Sequence, residues 1–189
     1  MEITPTSELA KGFTTTVGII GSKGLNGDNL MAAEWTYLLS YKPAIISVHI
    51  GNYRSKATAE NIGETKMFSV SLAAAHHNVL SSLIGNSTGH TVNKIAALQE
   101  LGYRLERSTT TGLIYVPDAV FIAECTLINS ENFGDHTMFV GKVVAAQEGT
   151  STNPLLYNRK KYWNLGEPVV KPSDEERTHF ADVFPKYKK

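Results

Sequence analysis

The stretch "TTTVGIIGSKGLNGDNLMAAEWTYLLSYKPAIISVHIG", residues 14–51, decides the fold. Thr14 to Ser22 is rich in Thr, Val and Ile and reads as a β-strand. Asn26-Gly27 is a tight-turn signal, and Asn29 to Ser40 return as a second strand. A third strand follows with Pro43 at its entry, where a missing amide costs least. Three strands at such short spacing favour antiparallel pairing over βαβ alternation.

Working outward, Thr6, Ser7 and Glu8 can cap one helical turn before the first strand. Residues 54–64 read as a short helix with Ser55 as N-cap and Gly63 as its stop signal. Met67 to Ala73 is a fourth strand. The region from His76 to Leu101 looks helical, with Thr91 capping its second helix and Gly102 ending it. Ala119 to Ile128 alternates as a strand, "NSENFGDH" reads as a loop, and "TMFVGKVVAA" is another strand. Ser173 to Glu176 form a capping-box pattern that opens a short amphipathic helix. The expectation is one mainly-β domain over residues 1–189. It is an antiparallel barrel of about six strands with helical insertions, spanning about 13–166, followed by a tail at 167–189.

Eighteen basic residues balance eighteen acidic ones, which argues against a nucleic-acid or membrane surface as main partner. Clusters at Arg159-Lys160-Lys161 and at Lys186, Lys188 and Lys189 read as solvated faces. One cysteine, Cys125, excludes an intrachain disulfide and a cysteine-based zinc site. The start of the chain has neither the basic opening nor the apolar run of a signal peptide, and no stretch reaches the ~20 apolar residues of a membrane helix. A cytoplasmic protein is expected.

Several chemistries lack their residues. Gly21, Gly24 and Gly27 follow neither the Walker order nor G-x-G-x-x-G, so a hairpin turn accounts for them better. There is no G-x-S-x-G elbow. No histidine pair has H-x-x-x-H spacing, and the adjacent His76 and His77 are expected to diverge on a helix, so no metal site is expected. Cys125, in an apolar strand, reads as a buried packer rather than a nucleophile.

Three segments remain. At Asn29 to Thr36, small Ala32 and Ala33 could let a planar ring approach the strand, with Asn29 and Thr36 adding hydrogen bonds and Trp35 apolar cover; the same residues also suit a hairpin packed under a neighbour. Arg54, Ser55 and Lys56 stand at a helix start, where amides, a hydroxyl and two cations make a phosphate cradle, with Thr58 near; an ordinary cap with solvated cations reads equally well. His136, after Gly134-Asp135, could donate to a carbonyl or carboxamide or be a solvated loop residue.

Together, "NLMAAEW", "YRSKATAENI", and "GDHTMFVGKVV" followed by "PLLYNRKKYWNLG" resemble the flavin-reductase-like proteins, in order and spacing, from about Phe13 to Gly166. The resemblance implies an FMN-binding split β-barrel and a homodimer with FMN near its interface. It implies that Asn29, Leu30, Met31, Ala32, Ala33, Trp35 and Thr36 line the isoalloxazine ring. Arg54, Ser55 and Lys56 would hold the phosphate, and His136 would lie where a nicotinamide stacks. Many relatives carry Thr or Ser in place of Ala32 and Ala33, and Glu34 is unusual; regular alternation would point it away from Ala33 and Trp35.

The implied reaction is hydride transfer from NADH or NADPH to flavin, with electrons passing on to free flavin, ferric iron or a redox partner. Arg159, Lys160 and Lys161 are available cations for an NADPH phosphate. Two other readings are open: an FMN-binding electron-transfer protein without its own NAD(P)H site, and a non-enzymatic barrel in which these residues only pack.

Overall fold

The computed structural model describes residues 3–4 and 7–188, so Thr6, expected to help cap a first turn, and Lys189 of the terminal basic cluster lie outside them. Strand β1 (Thr15–Thr16) leads into β2 (Gly18–Ser22), which forms the expected hairpin with β3 (Asn29–Ala33), pairing Ile19 with Ala32 and Ser22 with Asn29. Gly27, at positive φ, closes the turn through its amide to the Gly24 carbonyl at 2.8 Å.

The strand expected from Asn29 to Ser40 is two strands. It breaks at Glu34-Trp35, and β4 (Thr36–Tyr41) pairs not with β2 but with β5 (Ala44–Gly51). The break closes the fold. The seven-stranded sheet runs β3-β2-β6-β9-β10-β5-β4, where β6 is Met67–Leu72, β9 Phe121–Phe133 and β10 His136–Glu148. Its two edge strands are therefore joined by only two residues, and the sheet must curl until the edges meet. The Trp35 carbonyl, accepting from the His49 amide at 3.0 Å, holds that junction. The mainly antiparallel barrel with helical insertions is as expected, with more strands than six.

Alternation along β2 builds two cores. Ile20 points inward with Val48, Ile50, Phe68, Val70 and Phe139; Ile19 points outward with Leu30, Leu80, Ile84, Leu98 and Ile114 under the helical layer. Phe68, fully buried, contributes ~1.5–3 kcal/mol of transfer energy.

Helix α1 (Ala57–Thr65) corrects the cap assignment: Lys56 is the N-cap and makes no side-chain cap bond, while Ser55 donates to Glu60 instead. It ends at Lys66 in the left-handed conformation, with Gly63 inside the helix. Helices α2 (Asn78–Gly85) and α3 (Lys94–Glu100) cover β3; α3 is capped by Asn93, which accepts from the Ala96 amide at 3.1 Å, rather than by Thr91. Gly102, at positive φ, follows α3 as expected.

A short pair, β7 (Glu106–Arg107) and β8 (Ile114–Tyr115), precedes the long β9–β10 hairpin. The segment expected as a loop, "NSENFGDH", is mostly strand. Only Gly134-Asp135 turn, with Gly134 at positive φ. Beyond the barrel, β11 (Leu156–Asn158) and β12 (Lys161–Trp163) add to β1, and α4 (Asp174–Val183) carries the expected capping box at Ser173. Among the described residues, no helix is long and apolar enough to cross a membrane.

Candidate functional site

Strand β5 ends at Gly51, opposite His136 in the β5–β10 register. Asn52 then ties this end to the hairpin turn: its amide donates to the Asp135 carbonyl at 2.8 Å and its side chain to the Gly134 carbonyl at 3.2 Å. His136 is thus the first residue of a strand, held on a braced turn rather than in a free loop, and its Nδ1 meets Asp135 Oδ1 at 2.8 Å. That pairing lowers the Asp135 pKa.

The His136 ring stacks on Trp35, with centroids 4.3 Å apart and planes inclined by 24°. Trp35 also meets His49 edge-on at 6.0 Å, and Tyr37 meets the same imidazole at 90°. Burial, then the charge of His136, lowers the His49 pKa. These rings form an open aromatic wall at the barrel junction. Gly51 lets it continue: a Cβ there would stand 2.9 Å from the Tyr53 ring and 3.8 Å from His136 Nε2. Tyr53, lying over that bare backbone, carries the surface onward to Lys56, whose ammonium sits 5.3 Å from the Tyr53 ring centroid.

At that far end stands the start of α1. Ala57 and Thr58 are buried, and no side chain caps the first turn, so its free amides face an environment with Lys56 and Arg54 beside it. Asn29 reaches the same point from β3. Its Nδ2 donates to Thr58 Oγ1 at 2.7 Å, while its Oδ1 is buried without a partner. Gly89 packs on both: a Cβ there would lie 2.6 Å from Asn29 Oδ1 and 3.0 Å from the Ala57 methyl. A buried cation completes this end. Lys94 Nζ donates to the Ile84 and Leu30 carbonyls at 2.8 and 3.1 Å, and burial, followed by repulsion from Lys56, brings its pKa down to about 8.

Other expected residues have different surroundings. Leu30 is fully buried in the outer core, Met31 packs against the inner one, and Ala33 is buried there. Ala32 faces α2, where Gly85 comes close. Their small size therefore serves packing, and a ring at this edge would meet the backbone of the junction and Trp35. Thr36 is buried and donates to the Ala33 carbonyl at 3.2 Å, which fixes the kink. Ser55 and His90 both bond to Glu60, holding its pKa down at about 2, together with Asn26.

Because Glu34 lies in the break, strand alternation does not govern it. Although it is exposed overall, its carboxyl lies near Tyr157, Tyr162 and His136. Burial raises its pKa, opposed by the Tyr157 hydroxyl and by His136, and Tyr157 is pushed up to about 12 by its own burial and then by Glu34. Sequence reading missed His49, Gly51, Lys94, Tyr157 and Tyr162. Tyr157 and Tyr162 stand inside the PLLYNRKKYWNLG segment that carries the resemblance, whereas His49, Gly51 and Lys94 have no local signal.

His76 and His77 do not diverge. On a 3-10 turn both rings reach Asp118, at 3.0 and 3.1 Å. With Asp118 they bring three ligand-type atoms within 4.8 Å of one another, a grouping not expected from adjacent histidines, and His77 Nδ1 accepts the Ala74 amide at 3.0 Å, which puts the proton of the neutral ring on Nε2, facing Asp118. Cys125 is buried, and its thiol is pushed up to about 12 by burial and then by Glu124, as befits a packer. Two concavities, of about 150 and 480 Å³, share no residue with the aromatic wall.

Residues 10–166 match the family described as flavin reductase like domain. The chain belongs to this family. Membership supports flavin binding and oxidoreductase chemistry of the flavin-reductase kind. An uncharacterised protein of Pyrococcus abyssi is 29% identical over 117 residues, which are 62% of this chain and 64% of that protein, so less than two thirds of the relative is spanned. An FMN reductase (NADH), RutF, of Acinetobacter baylyi is 23% identical over 146 residues, 77% of this chain and 73% of that one. The FMN-binding protein of Thermus thermophilus shares the fold, with TM-score 0.76 and 22% identity over 91% of this chain and 98% of that one.

The residues of this flavin-reductase-like domain fit FMN. An uncapped, buried helix start flanked by two cations suits a phosphate. The Asn29 amide, turned end for end, would accept from the Thr58 hydroxyl and offer Nδ2 as a further donor in place of its orphaned oxygen. The aromatic wall at the junction suits a flat ring.

Proposed function

We propose that this chain is an FMN-binding oxidoreductase that takes hydride from NADH or NADPH and passes electrons on to free flavin, ferric iron or a redox partner. The observation that carries this reading is the continuous surface from the uncapped start of α1, past Tyr53 and Gly51, to the Trp35–His136 stack. Bound there, FMN would supply the hydride acceptor at its N5 position.

The chain's own residues do the rest. Arg54, Lys56 and the first-turn amides of α1 neutralise and orient the phosphate. Lys94, held off the surface by its two carbonyls, adds positive potential without contact. The junction backbone at Ala33 to Trp35 offers the polar ring edge its hydrogen bonds. His136, fixed by Asp135 and the Asn52 brace, orients the nicotinamide and needs to move no proton. We further propose a cytoplasmic homodimer.

One observation favours a second reading. Trp35 and His136 lie face to face with no gap between them, so a nicotinamide does not fit between these rings as they stand. A chain that keeps them stacked would serve as an electron carrier reduced by another protein. Anaerobic absorbance spectra with FMN, before and after NADH and then NADPH, separate the readings. Bleaching without a partner supports the reductase; a bound flavin that stays oxidised supports the carrier. In His136→Ala, bleaching should slow while FMN affinity holds, and a large loss of FMN binding would contradict the assigned role.

A further inference from the structure

Residues 167–188 fall outside the family match at 10–166, and no flavin chemistry accounts for their structure. Beyond β12 the chain runs extended, with Val169 and Val170 more than nine-tenths exposed, and then enters α4 behind its capping box. Phe180, Val183, Phe184 and Tyr187 follow one another at i, i+3, i+4 and i+7, so they share one face across α4 and the 3-10 turn at Phe184–Tyr187. No residue of α4 is buried. A helix this short is marginal in water unless an apolar face is packed.

The barrel has a complementary surface. Edge strand β4 exposes Leu38, Leu39 and Tyr41, on both of its faces. Such an edge is a liability unless it is covered. Lys42, exposed at its end, is opposite in sign to the acidic first turn of α4 at Asp174, Glu175 and Glu176.

We propose that the tail of one copy packs its Phe180–Tyr187 stripe on β4 of a second copy, reciprocally, as an exchanged arm. Area decides for reciprocity. The exposed aromatics and valines of one tail offer about 600 Å², short of the roughly 800 Å² per partner of a stable interface, whereas two contacts related by a two-fold exceed it. The inference rests on the homodimer proposed above and on no part of the flavin assignment.

The test uses full-length chains. Leu38→Cys in one and Phe184→Cys in the other are mixed and oxidised; buried Cys125 does not compete. A disulfide between the two different chains is expected, absent from either variant alone. In parallel, Phe180→Asp/Phe184→Asp should weaken dimerisation at least tenfold by sedimentation and abolish amide-exchange protection across 174–187. Both side chains are exposed, so the barrel fold should be unchanged, and the cross-link reads the contact in protein without flavin, so failure here is distinguishable from failure of the flavin reading. No cross-link between the two variants, a variant dimer as tight as wild type, or a chain monomeric at every concentration would overturn the proposal.

Discussion

Replacing Lys94 with Met should make the stability of this protein lose a specific dependence on pH. Lys94 is nearly fully buried, and its Nζ serves two carbonyls, Ile84 at the end of α2 and Leu30 in β3. A neutral amine has two N–H groups and satisfies both acceptors; the third proton of the ammonium only adds a buried charge. That is why burial brings the pKa from 10.5 down to about 8. The folded state therefore releases this proton more readily than the unfolded chain. The unfolded chain binds more protons between those values, so Lys94 adds stability as pH rises from about 8 and adds it in full above 10.5. The fall in pKa corresponds to about 3 kcal/mol at most, reduced to ~1–2 once water around the site screens the charge. Met also leaves two carbonyls without donors, a pH-independent loss of ~1–3 kcal/mol each. Urea unfolding of both proteins from pH 7 to pH 10.5 should show wild type pulling further ahead by ~1–2 kcal/mol at the alkaline end. A constant gap, or one that narrows, would refute the buried-ammonium reasoning. Saturating FMN should move the rise to higher pH, because a phosphate near Lys56 and Lys94 favours the ammonium.

Other outcomes can be checked independently. Arg54→Ala and Lys56→Ala should each weaken FMN binding ~5–30-fold in a fluorescence titration, as the loss of a half-exposed charge-assisted contact; unchanged affinity would remove the phosphate from α1. Gly89→Ala should destabilise by ~1–3 kcal/mol, because its Cβ would stand 2.6 Å from Asn29 Oδ1, and a melting temperature equal to wild type would show that the loop yields. Burial, more than the opposing Asp118, lowers the His77 pKa below 6.5, so stability present above that value should fall as pH drops through the folded pKa. His77→Gln should flatten that slope, and an unchanged slope would place its origin elsewhere.

What could be read from the sequence was set by how local the cause was. The β2–β3 hairpin, the β5 run, the Ser173 capping box and the Gly102 stop depend on neighbours a few residues away, and all were legible. Asn29 to Ser40 was not, because the alternation of a straight strand and that of two strands differ by nothing but a kink. Only the need to join opposite edges of a closed sheet selects the break at Glu34-Trp35. The polar run at 129–133 looked like a loop because this end of the β9–β10 hairpin is exposed on both faces, which removes the inside-outside alternation that marks a strand. Ser55 misled for a related reason: a nearby carboxylate, Glu60, competed successfully for its hydroxyl.

The same rule divides the candidate site. Arg54, Lys56, Trp35 and His136 were legible because they sit in short segments of marked composition. His49 and Lys94 come from a strand and a helix far apart in the chain, and each is ordinary where it stands, while Tyr157 and Tyr162 lie in a segment of marked pattern that only the fold brings to Glu34. The loss of the cap at α1 is the instructive case. A helix start that used Ser55 as its cap would have spent one of its free amides on that hydroxyl. By drawing Ser55 to Glu60, the fold leaves those amides free beside two cations. The departure from the local rule is thus the strongest structural argument that this end of α1 is built to receive a phosphate.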